Sequence, residues 1–174
     1  MNAELRGTSL REDDLRTGKA FATEWHPKID FRFDAGIAIS QFLAGLKAGR
    51  LLGRQCDACG RVVIPPRMFC ELCFRRNDRW VELKHTGRIN TFSVSFVNWD
   101  ASRRQTPQVP AVIDIDGTNP SMGILHLLGE VGETLEDVLK NVRIGMPVEA
   151  VWKPADQREG AITDILYFRP VRGA

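Results

Sequence analysis

The residues of this chain best suited to chemistry are its four cysteines, the only ones in 174 residues. They form two Cys-x-x-Cys pairs, Cys56 with Cys59 and Cys70 with Cys73. Two such pairs across a hairpin-sized spacer can place four sulfur atoms at the corners of a tetrahedron, about 2.3 Å from a Zn²⁺ ion. Gly60 follows the first pair and supplies the backbone freedom that a tight turn around a metal-bound sulfur needs. The spacing therefore predicts a zinc ribbon.

Other uses of cysteine fit this pattern less well. Two disulfides would need an oxidising compartment, and the residues after Met1 show no apolar signal segment. A redox dithiol normally uses one Cys-x-x-Cys beside a helix start. A catalytic zinc keeps an open fourth position, whereas four thiolates close the coordination shell. We therefore expect the metal to hold structure and any chemistry to take place elsewhere.

Composition and charge narrow the function classes. The chain is 43% hydrophobic and 26% charged, and no run of 18 apolar residues predicts a membrane helix, so a soluble cytoplasmic protein is expected. Residues 48–80 contain seven arginines and no lysine. Residues 81–174 carry ten basic and twelve acidic side chains, which argues against a polyanion-binding groove in that part.

The elements around the cysteines are predicted from periodicity. Residues 1–33 form a flexible arm, in which Trp25, Phe31 and Phe33 are expected to anchor on this subunit or on a partner. Residues 34–50 form an amphipathic helix with Asp34 as N-cap, Gly49 as its stop and an apolar stripe made by Ile39, Phe42, Leu43 and Leu46. The zinc ribbon spans residues 51–80, and Val62 to Ile64 is its short edge strand.

The remaining residues, 81–174, show the alternation of apolar and polar residues that is typical of β-strands. Strands are predicted over 88–97, 111–116, 123–128, 148–153 and 161–168, with a short helix behind Thr134 that presents Leu135, Val138, Leu139 and Val142. Residues 98–108 are expected to form a loop. This order is the plan of an OB-fold, a five-stranded barrel with a helix between strands three and four. The fold class is mainly β, and an open α+β sheet is the other architecture considered.

The order of these motifs resembles the DUF35 family. An amphipathic helix precedes Gly49-Arg50-Leu51-Leu52, the first cysteine pair with Gly60-Arg61, the segment Pro65-Pro66-Arg67, the second pair, and a β-barrel. The resemblance covers about residues 38–170. One departure is Phe74-Arg75-Arg76, where the family commonly has Gly and Ser after the second pair.

The resemblance implies a non-catalytic partner subunit of a thiolase-superfamily enzyme that acts on acyl-CoA thioesters. Such a subunit stabilises the larger chain and helps shape its CoA pocket. The arginines of residues 48–80 would suit bidentate phosphate recognition, or would be solvated or paired with a partner's carboxylates. Trp99, Arg103 and Arg104 combine a flat apolar surface with two guanidinium forks, which suits either CoA contact or docking of a partner.

The sequence shows no catalytic constellation. Its histidines, His26, His85 and His126, are scattered, and His126, within an apolar strand, is the best candidate acid or base. A histidine on the outer face of a barrel strand is the preferred interpretation. The alternative function is single-stranded nucleic-acid binding, for which Phe92, Phe96, Trp99, Arg103 and Arg104 would supply the stacking and phosphate contacts.

Overall fold

The computed structural model describes residues 11–20, 23, 25–30 and 32–171, and the chain divides into two units at residues 34 and 35. In the first unit, helix α1 is Glu12–Arg16. Residues 25–30 and 32–34 of that unit form neither helix nor strand. The predicted aromatic anchor includes Phe31, which lies outside the described residues.

The described residues of the second unit form two β-sheets and two α-helices. Its elements, in chain order, are α2 (Gly36–Lys47), β1 (Leu51–Gln55), β2 (Val62–Val63), β3 (Arg79–Leu83), β4 (Thr86–Phe92), β5 (Ser95–Val97), β6 (Arg103–Ile115), β7 (Gly123–Leu128), α3 (Leu135–Asn141), β8 (Pro147–Trp152) and β9 (Ile165–Pro170). Two 3-10 turns, Ala155–Gln157 and Ile162–Asp164, precede β9. Among the described residues, none of the helices is long and apolar enough to cross a bilayer.

The larger sheet closes on itself. Strand β4 pairs with β6, β6 with β7, β7 in parallel with β9, β9 with β8, and β8 with β4. Short strand β5 extends β6 beyond the closed part. The predicted OB-fold, with its helix between the third and fourth barrel strands, is confirmed.

The smaller sheet has the order β2-β1-β3 and carries the cysteine turns. Its base is apolar: Leu51 and Ile64 are fully buried in one cluster with Leu46 of α2 and with Ile113 and Phe168 of the barrel. The backbone of Val62 also exchanges two hydrogen bonds with Asn119, of 2.8 and 3.0 Å. The base of the ribbon therefore shares the barrel's core, while its cysteine end does not.

Two predicted helix features differ from the structure. Helix α2 begins at Gly36 with Ala35 as N-cap, so the assignment of Asp34 as N-cap was wrong. Gly36 has a φ of +66°, outside the right-handed helical region, and this stops the helix from extending back to Asp34. Of the predicted apolar stripe at α3, Val138 and the C-cap residue Val142 are buried, but Leu135 and Leu139 are exposed.

Three strand predictions were wrong in their limits. The strand predicted over 88–97 is interrupted after Phe92, where β4 ends, and a register shift against β6 precedes the interruption. Strand β6 begins at Arg103, so most of the predicted 98–108 loop is strand. Its prolines, Pro107 and Pro110, are typical strand breakers, but the carbonyl of Pro110 accepts a 3.0 Å bond from the N–H of Ser93. The last strand begins at Ile165, because a 3-10 turn occupies 162–164.

Candidate metal centre

The four cysteine sulfurs converge at the end of the smaller sheet. All four lie within 4.8 Å of one another, and the sulfurs of Cys59 and Cys70 are 3.6 Å apart. A tetrahedron with metal–sulfur bonds of about 2.3 Å has edges of about 3.8 Å. The donor set is all thiol, which is the composition of a closed structural zinc site. Geometry and chemistry therefore both fit one Zn²⁺ ion.

Each cysteine pair lies on a backbone turn, called here the first knuckle (residues 56–61) and the second knuckle (residues 70–75). In the first, the N–H of Gly60 donates to the carbonyl of Cys56 at 2.8 Å, and the N–H of Cys56 donates to Arg61 at 2.9 Å. In the second, the N–H of Phe74 donates to Cys70 at 2.9 Å. The N–H of Cys70 donates to Arg75 at 2.8 Å, so the two hydrogen-bond patterns are the same.

The knuckles share an unusual backbone conformation. Gly60 has a φ of +74° and Phe74 a φ of +52°, and both occupy the left-handed region. Glycine enters this region without a steric cost, whereas a residue with a Cβ is disfavoured by roughly 1–2 kcal/mol. The departure at Phe74 therefore leaves the second knuckle intact and places a strained, exposed phenylalanine on it.

The electrostatics of the thiols favour a bound cation. The backbone N–H of Cys73, followed by that of Leu72, lowers the pKa of Cys70 to about 7. A hydrogen bond with Cys59, together with burial, raises the pKa of Cys73 to about 12. Thiolates this close repel one another, so all four ionise together only when a metal ion compensates their charge.

Most arginines of the ribbon pair with carboxylates of this same chain. The shortest pairs are Arg79 with Asp57 at 2.6 Å and Arg61 with Glu71 at 3.0 Å. The others are Arg50 with Glu82, Arg54 with Asp78, Arg67 with Glu71, and Arg76 with Asp78. Within the described part of the chain, Arg75 is the one ribbon arginine without such a pair. These six arginines share four carboxylates, so most of the expected phosphate-binding arginines are ion-paired within the chain while a net positive charge remains.

Comparisons with known proteins agree with this geometry. Residues 43–79 match the family model described as "ChsH2, rubredoxin-like zinc ribbon domain", and residues 80–153 match "ChsH2, C-terminal OB-fold domain". A DUF35 domain-containing scaffold protein of Methanocaldococcus jannaschii is 30% identical over 124 residues, which span 70% of this chain and 82% of that protein. The chain belongs to the DUF35 family.

Two solved structures share the fold of this DUF35 chain. A DUF35 protein of unknown function from Sulfolobus solfataricus has a TM-score of 0.53 and 24% identity, over 67% of this chain and 78% of that one. A chain of the structure titled "Ltp2-ChsH2(DUF35) aldolase" has a TM-score of 0.55 and 23% identity, over 80% of this chain and 98% of that one. At these identities the likeness shows the fold alone.

The predicted CoA-binding residues lie together at the end of one β-hairpin, the β5–β6 hairpin. Trp99 is 98% exposed at its tip, and Arg103 is exposed at the first position of β6. Arg104 instead points into the hairpin, since its Nη1 donates to Oδ1 of Asn98 at 2.8 Å. Trp99 and Arg103 are therefore the more exposed of the three, and Arg104 is half-buried with Nε and Nη1 engaged by Thr106 and Asn98.

The turn of this hairpin is rigidly hydrogen-bonded. The carboxylate of Asp100 accepts bonds from the hydroxyl of Ser102 at 2.6 Å and from its N–H at 3.0 Å. These bonds lower the pKa of Asp100. The N–H of Asn98 donates to the carbonyl of Ser102 at 2.9 Å, which closes the turn. The exposed indole of Trp99 is therefore presented on an ordered support.

His126 lies on the inner face of β7, so the preferred outer-face interpretation was wrong. It pairs across the sheet with buried Ala111, and its ring packs edge-on against buried Phe168. Nδ1 accepts from the N–H of Leu127 at 2.8 Å, which leaves Nε2 as the donor to the carbonyl of Ile162 at 3.3 Å. Both ring nitrogens therefore have partners within the chain, and the half-buried ring also lines the apolar groove described below.

One surface feature was not predicted from the sequence. An apolar groove of about 510 Å³ lies on the barrel and is lined by Pro110, Leu125, Leu127, Ile162 and Leu166, among others. The run Ile124 to Leu128 is almost continuously apolar, which is typical of a strand covered on both faces. Periodicity therefore gave no signal that Leu125 is exposed.

Proposed function

We propose that this chain is a non-catalytic, zinc-containing subunit of a thiolase-superfamily complex that acts on acyl-CoA thioesters. In that complex it stabilises the catalytic subunit and helps shape the CoA pocket. The observation that carries the proposal is the membership of a family in which one relative is a scaffold protein and one fold neighbour belongs to an aldolase containing a DUF35 chain.

The proposed metal ligands are Cys56, Cys59, Cys70 and Cys73. When bound, Zn²⁺ would cross-link the two knuckles, whose backbone turns already present the sulfurs to one point. Four thiolates leave no coordination position for a substrate or an activated water. The role assigned to the metal is therefore structural.

In this proposal the catalytic nucleophile belongs to the partner subunit. Carbon–carbon cleavage or condensation of an acyl-CoA by thiolase chemistry needs a reactive thiolate, and every cysteine of this chain is a proposed metal ligand. His126 is engaged on both ring nitrogens, so it is not positioned to activate one.

Purification of the chain with and without a thiolase-like subunit from the same organism tests this proposal. We expect turnover of acyl-CoA by the complex, none by this chain alone, and a higher unfolding temperature of the partner in the complex. Turnover by the isolated chain, or failure of the two chains to associate, would contradict the proposal.

The contact with CoA is proposed for the β5–β6 hairpin. Trp99 would stack on adenine and Arg103 would pair with phosphate, whereas Arg104 would hold the hairpin through Asn98. In the complex, Arg103→Ala should weaken CoA binding about tenfold, as expected for the loss of about 1.4 kcal/mol. Arg143→Ala, which removes an exposed cation elsewhere on the barrel, is the control. Unchanged CoA affinity in Arg103→Ala and Trp99→Ala would exclude this contact.

A further inference from the structure

The segment before α2 has the pattern of a β-strand with one apolar face. From residue 25 to residue 34, apolar and polar residues alternate without exception: Trp-His-Pro-Lys-Ile-Asp-Phe-Arg-Phe-Asp. A period of two over ten residues is typical of a strand that is covered on one face and solvated on the other. This segment is called here the alternating segment.

The described residues of the alternating segment do not form a strand in the chain alone. Residues 25–30 and 32–34 have no regular secondary structure and are exposed. The side chains of its apolar positions remain largely in solvent: Trp25 is 77% exposed, Ile29 66% and Phe33 83%. Large side chains at regular spacing, each with most of its surface in solvent, are typical of a surface that becomes buried against something else.

Proline fixes which edge of the segment can bond. In a strand, the N–H and C=O groups of alternate residues point to opposite edges. Pro27 has no N–H, so the edge formed by the odd-numbered residues lacks a donor there. The edge formed by the even-numbered residues, including Lys28, Asp30 and Arg32, has a donor at every position. The segment is therefore suited to add to a sheet through its even-numbered residues.

The receiving edge is more readily found on another protein than on the barrel of this chain. The five barrel strands close into a ring, which offers no edge to an added strand. Outside the barrel, the edge strands among the described residues are β2, β3 and β5, of two, five and three residues, which are too short to pair along a ten-residue segment. A partner subunit with an open sheet would supply both backbone groups and an apolar surface. The alternate polar face, with Lys28, Asp30 and Arg32, would then remain in solvent.

We infer that the alternating segment folds on binding, as an added β-strand on an open sheet edge of the catalytic subunit. This inference rests on the proposed function and names the segment that makes the contact. The even-numbered residues form the backbone bonds, and Trp25, Ile29 and Phe33 cover apolar surface of the partner. In this mode of recognition, backbone hydrogen bonds provide affinity and the contacts of alternate side chains provide specificity.

Amide hydrogen exchange of the full chain, alone and in complex with the thiolase-like subunit, tests the inference directly. On binding, the amides of Lys28, Asp30 and Arg32 should exchange at least tenfold more slowly, while that of Ile29 should change little. Protection of both the odd-numbered and the even-numbered amides, or of neither set, would overturn the inference. So would the same alternating protection in the chain alone, because the strand would then be intramolecular.

Two matched pairs of variants separate backbone from side-chain effects. Asp30→Pro removes a bonding N–H and should weaken the complex at least tenfold, whereas Asp30→Ala keeps the N–H and should change affinity less than twofold. Ile29→Ser should weaken the complex about tenfold, and Lys28→Ser on the polar face less than twofold. Wild-type affinity in both Asp30→Pro and Ile29→Ser would overturn the inference and leave the proposed function standing. Failure of the wild-type chain to bind the subunit would overturn both.

Discussion

The two knuckles of the ribbon have the same backbone and different residues at the same position. Gly60 and Phe74 each follow a Cys-x-x-Cys pair, each have a positive φ, and each donate to the carbonyl of the first cysteine at 2.8 and 2.9 Å. Glycine is the residue that this conformation favours. The second knuckle is formed with phenylalanine, so the conformation is imposed by the cysteine spacing and the hydrogen bonds rather than by residue preference.

The phenylalanine of the second knuckle is also exposed to solvent. Phe74 is 86% exposed, so packing within the chain does not offset its backbone strain. Phe69 and Leu72, close to it in sequence, are exposed as well. Stability of the chain alone therefore does not explain the phenylalanine. If the metal and the turns determine the knuckles, removal of the metal should affect both equally, and exchange of residues at 60 and 74 should have small and opposite effects.

Loss of the metal should have the largest effect. Zinc binding in isolated finger peptides is worth about 10–16 kcal/mol, which exceeds the net stability of most domains. Chelation of zinc, or Cys70→Ser, should abolish the protection of the Gly60 and Phe74 amides against hydrogen exchange, while amides of the barrel strands stay protected. Ala58→Ser, a change at a non-ligand position of the first knuckle, is the control. Retained protection at both amides without metal would contradict the comparison.

A third turn, residues 159–161, is held by a carboxylate instead of by cysteine sulfurs. Loss of that carboxylate should have the second-largest effect on stability. The buried carboxylate of Asp164 accepts bonds from the N–H groups of Glu159, Gly160 and Ala161, of 3.0, 2.7 and 3.1 Å. Asp164→Ala leaves these donors without their acceptor and should lower the free energy of unfolding by about 2–4 kcal/mol. Urea denaturation measures this, with exposed Asp156→Ala as the control. A change below 0.5 kcal/mol, roughly that of an ordinary surface substitution, would contradict it.

The same carboxylate predicts a pH dependence. Burial alone would raise the pKa of Asp164, but the three backbone N–H groups and Lys153 outweigh it and hold the pKa below its ordinary value. The stabilisation is therefore complete above the unfolded-state pKa of about 3.9 and is lost as the pH falls through the lower folded-state pKa. Wild-type protein should lose more stability than Asp164→Asn on acidification below about pH 4. If the free energies of unfolding of the wild-type protein and Asp164→Asn fell equally with pH, the Asp164 carboxylate would not contribute to the pH dependence of stability.

Substitution of the first knuckle's glycine should have a smaller effect. A Cβ at position 60 would meet no atom within 4 Å, so Gly60→Ala introduces backbone strain without a clash. We expect a loss of roughly 1–2 kcal/mol, measured by denaturation of the zinc-loaded chain. A stabilising effect would show that the two knuckles differ in ways that their hydrogen bonds do not reveal.

Substitution of the second knuckle's phenylalanine should have the smallest effect, of opposite sign. Phe74→Gly relieves the left-handed strain but increases the freedom of the unfolded chain, so the free energy of unfolding should rise by at most about 1 kcal/mol. Phe74→Ala keeps a Cβ and should be close to neutral. Destabilisation by Phe74→Gly of more than about 1 kcal/mol would show that the exposed ring contributes to the fold.

The sequence predicted the metal centre and the barrel because both depend on local signals. Cysteine spacing identifies ligands directly, and the order of strands and helix identifies an OB-fold. The limits of β6 and the position of His126 depend on which strands lie side by side, which alternation along one strand does not reveal. The ion pairs between the ribbon arginines and carboxylates of the same chain could not be predicted from the sequence either, because Asp57 and Arg79 are brought together only by the folded ribbon.

X-ray absorption at the zinc edge, on the purified chain with its metal content measured, shows whether the four cysteines hold a structural zinc ion. The prediction is one zinc per chain surrounded by four sulfur atoms at about 2.3 Å, with no nitrogen or oxygen ligand. A folded chain that contains no zinc, or a zinc shell that includes nitrogen or oxygen, would contradict it.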